Sequence, residues 1–227
     1  MSTENAPSKK VTAKRKPPRT SGRPLADAAV GQQRILDATI VLLKTRAPEQ
    51  LSILEIAGSA GVTRTLVRYY FGDLRGVLRE ATEQLMGQLQ DRMEAALVSR
   101  GPLPERVYQR LLLRLEFMRE HPHFERLALS EIYHAEDADG SQGKTGNSLQ
   151  RISRRAMELT AMLLGDSHAD VDPRHIHLTI LSVSAFIPTA QPLLDHLFGT
   201  GPKGDREIEK YLRFVSQMLA DRIQQHP

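Results

Sequence analysis

Residues 51–71 read LSILEIAGSAGVTRTLVRYYF, and their spacing predicts two short helices joined by a tight turn. Ser52, with Glu55 three residues on, forms a capping box that gives the first helix a definite start. Ile53, Ile56, Ala57 and Ala60 recur at three- and four-residue intervals and draw one narrow apolar stripe. Gly61 follows the stripe, where helices commonly end on a left-handed residue. Thr63 suits the N-cap of the second helix, and Val62 before it can pack on Val67 as a hydrophobic staple. At about 100° per residue, Arg64, Thr65, Arg68 and Tyr69 fall within one sector of roughly 140°. Leu66, Val67 and Tyr70 face the other way, toward a core. Two guanidiniums, a hydroxyl and a phenol on one exposed face suit phosphates and guanine edges in a DNA major groove. A plainly solvated helix face is the competing reading, so the flanking sequence has to decide between them.

Outward from this hairpin, Gln32 to Thr45 reads as a preceding helix with Ile35, Leu36, Thr39, Leu42 and Leu43 inward, broken by Ala47-Pro48. Asp73 caps a long helix running toward Val98, with Val77, Leu78, Ala81, Leu85 and Leu89 at helical spacing. Residues 1–24 are polar, rich in Lys, Arg, Ser and Pro, and without periodicity, as a disordered arm is. Residues 1–23 hold seven Lys or Arg against one Glu, hence +6, leaving −2 for the remainder of a 227-residue chain whose net charge is +4. The basicity thus belongs to the arm and not to the folded body. Arg23, in the run Ser-Gly-Arg-Pro, is placed to enter a narrow minor groove on an extended backbone.

The absence of Cys excludes disulfides, thiolate metal sites and cysteine nucleophiles. No apolar run reaches the ~18 residues of a membrane span, and the N-terminus lacks the apolar core of a signal peptide, so a cytoplasmic protein without membrane contact is expected. His121 and His123, like His175 and His177, are separated by one residue and would point about 200° apart on a helix, so neither pair is a ready chelate. No nucleophile elbow and no phosphate-cradling glycine loop is present, since Gly140, Gly143 and Gly146 lack the strand and lysine such a loop needs. No enzyme, metal or cofactor is expected.

The stretches GRP (22–24), QRILDATIVLL (33–43) and SILEIAGSAGVTRTLVRYYFGDLRGVL (52–78) resemble the N-terminal domain of the tetracycline-repressor (TetR) family, over roughly residues 22–85. The IA-x-x-AGV turn at 56–62 and the Tyr-Phe close at 70–71 sit at the family's spacing. The resemblance implies an all-α fold with three parts. These are a basic arm (1–24), a helix-turn-helix DNA-binding domain (25–72) and a helical effector-binding and dimerisation domain (73–227). Arg23, Ser52, Thr63, Arg64, Thr65, Arg68, Tyr69, Tyr70 and Arg75 are the candidate DNA contacts. Three positions depart from the pattern. Arg68 stands where the family usually has a phosphate-binding Tyr. Leu74 stands where it has Lys, leaving Arg75 to take that phosphate, and Leu54 stands where a basic residue is common.

In the second half, Pro104 to Arg119 reads as a helix with Val107, Leu111, Leu112, Leu115 and Met118 inward, and His121-Pro122 restarts one through about His134. Ala138 to Asn147 reads as a loop. Leu149 to Leu164 is a helix whose far face carries Arg151, Arg154 and Arg155, and Arg206 to Ile223 closes the chain. Between them, Asp172-Pro173 opens a helix that is apolar nearly all round, kinked or interrupted at Pro188 and Pro192. One way to cover such a helix is a twofold partner, and TetR-like proteins pair their last helices into an intersubunit four-helix bundle. A homodimer would set two recognition helices roughly 34–36 Å apart on a palindromic DNA operator. The resemblance also implies a small-molecule effector among the C-terminal helices, with Phe117, Met118, Tyr133, Met157, Met162 and Phe186 as lining and Arg114 or His177 as polar anchors. The apolar majority predicts a hydrophobic or aromatic effector. The expected function is a ligand-relieved repressor, in which effector binding tilts the helix after Asp73. The alternative is a helical interaction adaptor that has lost sequence-specific DNA binding, which Leu54 and Leu74 keep open.

Overall fold

The computed structural model describes residues 25–97, 101–133, 145–165 and 171–224. The arm with Arg23, most of the 138–147 loop, and His134 lie outside the described residues. Ten α-helices account for most of the described chain, which contains no strand. They are α1 (Leu25–Leu42), α2 (Ile53–Ala60), α3 (Arg64–Phe71), α4 (Leu74–Ala96), α5 (Leu103–Glu120), α6 (Phe124–Leu127), α7 (Thr145–Leu164), α8 (Pro173–Thr189), α9 (Gln191–Phe198) and α10 (Gly201–Gln224).

Three boundaries differ from the sequence reading. α1 begins at Leu25 rather than Gln32, because Ala26, Ala28 and Ala29 extend the helix without contributing to the apolar period. α10 begins at Gly201 rather than Arg206. α7 takes up residues 145–147, which the glycine-rich sequence predicts as loop. Elsewhere the local signals act as expected. Ser52 Oγ accepts from the Glu55 N–H, Thr63 Oγ1 from Leu66 N–H, Asp73 Oδ1 from Gly76 N–H and Asp172 Oδ1 from Arg174 N–H. Each of the four satisfies an N–H that the first helical turn leaves without a partner. Gly61 ends α2 with φ 64°, and the Arg34 guanidinium of α1 ties off Ala60 O at 3.0 Å.

α1, α2 and α3 close over Ile35, Ile56, Ala57, Val67 and Phe71, all less than a tenth exposed. That cluster continues without a break along Val77, Ala81, Leu85, Leu89 and Met93 of α4, and onward to Phe117, Phe124 and Ile132. A second cluster gathers α5, α8 and α10 around Leu111, Leu115, Ile180, Leu212 and Val215. α4 is therefore the one long element shared by the three-helix head and the body. An ionic ladder fastens its outer face to α7, running Arg151–Glu83, Arg155–Asp91 and Arg155–Glu94.

After α5, His121 leaves helical geometry and the chain re-enters through α6 into one π-helical segment, Ala128–Tyr133. α8 does not break at Pro188, which it carries in its last turn. The interruption comes at Ala190, and with Pro192 at the start of α9 the two axes meet at 82°. No single helix among the described residues is long and apolar enough to cross a membrane. The bent pair α8–α9 passes on length and composition together.

Candidate nucleic-acid interface and ligand cavity

α3 presents the face that its sequence predicts. Arg64, Thr65, Arg68 and Tyr69 are exposed, Tyr69 to 79%, while Val67 is fully buried. Among the described residues no carboxylate pairs with Arg64 or Arg68, so both guanidiniums remain available to phosphate oxygens or base edges. Thr63 sits at the leading edge of α3 with its hydroxyl engaged in the cap. Ser52 likewise spends its hydroxyl locally, donating to Glu55 Oε2 at 2.8 Å while accepting from the Glu55 N–H. That bond and the neighbouring Arg46 hold the Glu55 carboxyl below its ordinary pKa. Arg75 is exposed at the start of α4, 3.9 Å from Glu131. Tyr70 stands apart from the other candidates. Its ring turns back toward α1, where a Cβ on Gly31 would lie 3.4 Å from the Tyr70 hydroxyl. Tyr70 is thus seated in the packing that holds α3 to α1.

In the body, α4, α5, α7 and α8 line a cavity of about 440 Å³ that is open to solvent on one side. Met86, Leu89 and Met93 of α4 form one wall, with Leu149, Ile152, Ala156 and Met157 of α7 facing them. Gln90 Nε2 crosses this wall to donate to Ile152 O at 3.0 Å, joining α4 to α7 inside the body. α5 contributes Arg110 and Arg114, and α8 contributes Arg174, His177, Leu178, Ile180 and Leu181. The lining is largely apolar, with three guanidiniums and no carboxylate.

Of the eight residues named from sequence as effector contacts, Arg114, Met157 and His177 line this cavity. Phe117 and Met118 are instead sealed in the main core, Phe117 edge-on to Phe124 at 5.2 Å between centroids. Met162 and Phe186 face outward, 55% and 54% exposed, and the Tyr133 side chain lies outside the description. The physical reason is common to the first two pairs. A helical period tells which side of a helix is covered, not whether the cover is core, cavity or a second molecule.

Arg110 was missed. It is only 6% exposed, and its Nε and Nη1 are shut off from solvent without a hydrogen-bond partner. Burial, and then the charge of Arg114, lower its pKa to about 10. The available signal was the four-residue spacing of Arg106, Arg110 and Arg114, which draws a guanidinium row along α5 beside Val107, Leu111 and Leu115.

His177 can be assigned a tautomer. Thr160 Oγ1 donates its proton to Ala156 O at 2.8 Å, so the 3.3 Å contact with His177 Nδ1 has the imidazole as donor. Burial, then Arg110 and Arg114, hold this imidazole below its ordinary pKa and therefore neutral, with Nε2 as an acceptor. Among the described residues no three His, Asp or Glu side chains gather as a metal site would require.

No protein-family model matches the sequence, and no curated protein matches it. Solved structures do. A TetR/AcrR-family regulator from Thermobifida fusca superimposes with a TM-score of 0.60 at 17% identity, covering 82% of this chain and 96% of its own. A TetR-family regulator from Pectobacterium atrosepticum gives 0.60 at 18% identity, over 87% and 96%. The fold is that of the TetR/AcrR regulators. The transcriptional regulator FadR from Bacillus subtilis, solved in complex with stearoyl-CoA, is similar with a TM-score of 0.57 at 15% identity, over 84% and 96%. Here α1–α3 form the three-helix head, and α4 runs from it into the body. The cavity lies among helices of the body, the part in which the sequence resemblance implied an effector.

Proposed function

We propose that this chain is a homodimeric transcriptional regulator that grips operator DNA with α3 and is released by a small molecule held in the body cavity. The observation that carries this reading is the span of α4. Its capped N-terminus abuts α3 through Asp73 and Gly76, and its fourth to sixth turns supply Met86, Leu89, Gln90 and Met93 to the cavity. A ligand that changes the packing of those four residues acts directly on the helix that aims the reading head. Because the ligand favours one of two α4 orientations, it shifts their populations and lowers DNA affinity by the same factor that DNA lowers its own. That the similar FadR fold was solved with an acyl-CoA supports reading the cavity as an effector site.

Dimerisation is supported by surface that the monomer leaves uncovered. α8 buries Ile176, Ile180 and Ile187 but exposes Leu178 and Phe186. α10 buries Ile208, Leu212 and Val215 but exposes Phe214 and Met218, 64% and 50%. Large apolar groups exposed on two helices that both pack on α5 are what a self-complementary interface uses. Pairing would place two α3 helices on successive major-groove faces. Arg64, Thr65, Arg68 and Tyr69 then read bases and phosphates, Arg75 and Thr63 hold flanking phosphates, and the arm with Arg23 follows the minor groove.

The test is selection of the purified full chain against random duplex DNA at physiological salt, followed by footprinting. Enrichment of a palindrome with half-sites one turn apart is the expected result. Recovery of no sequence above background would overturn the reading and leave the interaction adaptor in its place.

A further inference from the structure

We infer that the cavity is built for a monocarboxylate carried on an apolar body, with Arg110 as the residue that binds the carboxylate. This deepens the effector-site reading above and rests on it. The cavity's cations are not equivalent. Arg114 is paired with Glu125 at 2.8 Å, both side chains about a tenth exposed or less. Arg174 is held by three hydrogen bonds to Asp172. Arg110 is more than nine-tenths buried, lines the cavity, and has two sealed nitrogens without an acceptor. Burying an ionised group without a counter-charge is costly, and native proteins compensate it with a paired charge or a ligand.

The cavity itself offers no counter-charge, since none of its lining residues is acidic. Glu105, in the adjoining hollow that Arg110 also lines, is engaged by Gln109 and faces Arg213 at 3.6 Å. One uncompensated positive charge calls for one negative charge, which favours a carboxylate over a phosphate dianion. A planar carboxylate also matches the guanidinium fork. The rest of the lining, Met86, Leu89, Met93, Ile152, Met157 and Leu181, asks for an apolar body. At ~30 Å³ per water-sized group, the volume has room for roughly fifteen such groups. The expected small hydrophobic effector is thereby narrowed to an amphipathic anion.

Decanoate and 1-decanol, equal in chain length and different in charge, are suitable probes. Thermal melting and calorimetric titration would be run on the full chain as wild type, Arg110→Met and Arg110→Lys. Three results are expected. Without ligand, Arg110→Met melts higher than wild type, because an unpaired buried charge is gone. Decanoate binds wild type and loses about tenfold or more in affinity to Arg110→Met, while Arg110→Lys keeps a preference for the anion. Decanol binds all three proteins within about threefold of one another. A ligand-free Arg110→Met that melts lower than wild type would overturn the proposal, since Arg110 would then be structural. So would decanoate binding that survives in Arg110→Met unchanged, and in that case the effector-site reading stands. If neither probe binds wild type, the effector-site reading itself fails and the inference with it. Arg110→Gln, which removes the charge and keeps a polar head, is run beside it, and failure of both charge-removing variants to fold counts as melting lower and overturns the proposal.

Discussion

Alanine introduced at Gly76 and at Gly87, two positions of the same helix, is expected to move stability in opposite directions. A Cβ built on Gly76 would lie 1.9 Å from the Phe71 carbonyl oxygen and 3.0 Å from its carbon, whereas one on Gly87 meets nothing within 4 Å. The Phe71 carbonyl cannot swing aside, because it is the end of α3 and accepts the Asp73 N–H at 3.0 Å. Relief requires the start of α4 to retreat by more than 1 Å, which also pulls Gly76 N–H from Asp73 Oδ1, now at 2.8 Å. Overpacking costs roughly 1–3 kcal/mol, and a lost N-cap costs about 1 kcal/mol. Gly76→Ala should therefore cost roughly 2–4 kcal/mol, while Gly87→Ala gains ~0.5–1 kcal/mol from helix propensity. At ~2–4 °C per kcal/mol for a chain of this size, Gly76→Ala lowers the melting temperature by roughly 4–16 °C and Gly87→Ala raises it by about 1–4 °C. Circular dichroism melts at 222 nm, at one fixed protein concentration, read both. The same displacement turns α3 away from its seat, so DNA affinity of Gly76→Ala falls even at temperatures where the protein is folded. A Gly76→Ala protein that melts within ~2 °C of wild type would refute the close approach and the coupling built on it.

Arg68→Ala and Arg64→Ala should weaken binding to DNA, and the one that contacts phosphate should flatten the plot of log affinity against log salt by about one unit, measured by fluorescence anisotropy from 50 to 200 mM salt. An unchanged slope in both removes the phosphate role. Arg114→Met should lose about 3–5 kcal/mol in chemical denaturation by stranding the buried Glu125, with most of that loss recovered when Glu125 is also made apolar. Phe214→Asp should convert the chain to a 25.4 kDa monomer in sedimentation, with operator affinity lost at concentrations where the wild type is dimeric. Stability should be flat above about pH 6.5 and fall below it. Burial first, and then nearby cations, depress the folded-state pKa of His121 and His177, so the unfolded chain takes up their protons first as pH drops. Replacing both with Gln should reduce that slope, and an unaltered slope would show that other groups carry it.

The head was legible because its signals are local. Ser52, Gly61, Thr63 and Asp73 act within three or four residues of themselves, and the periods of α2 and α3 decide which atoms meet α1. The cavity was not legible for the converse reason. Its walls come from four helices separated by as many as ninety-five residues, from Met86 to Leu181, and a helical period cannot distinguish a side chain against a void from one against another side chain. Phe117 and Met157 have the same kind of spacing and different fates, core for one and cavity for the other. Arg110 shows the limit most clearly. Long cations are expected in water, and only the packed structure reveals one held out of it.

The two halves meet in α4, and the chemistry at each end differs in a way that bears on control. At its head end the contacts are short-range and intolerant, a cap and a carbonyl with no room for a methyl group. At its body end Met86, Leu89 and Met93 line the cavity on the inner face, where Gln90 donates to Ile152 O, while the ionic ladder to α7 runs along the outer face. The unbranched side chains of Met86 and Met93 repack at little cost, so on the proposed mechanism occupancy of the cavity would change the body end first. On the proposed mechanism, the stiff end cannot absorb the change locally and would pass it to α3 as rotation. A regulator with those ends reversed would yield at the DNA and hold rigid at the ligand. Gln90→Leu, which removes the inner-face bond to α7 while keeping the wall apolar, should loosen α4 at its body end. DNA release should then require less effector, read as a lower half-maximal decanoate concentration in operator titrations. A higher concentration would mean that the Gln90 bond drives the movement instead of restraining it.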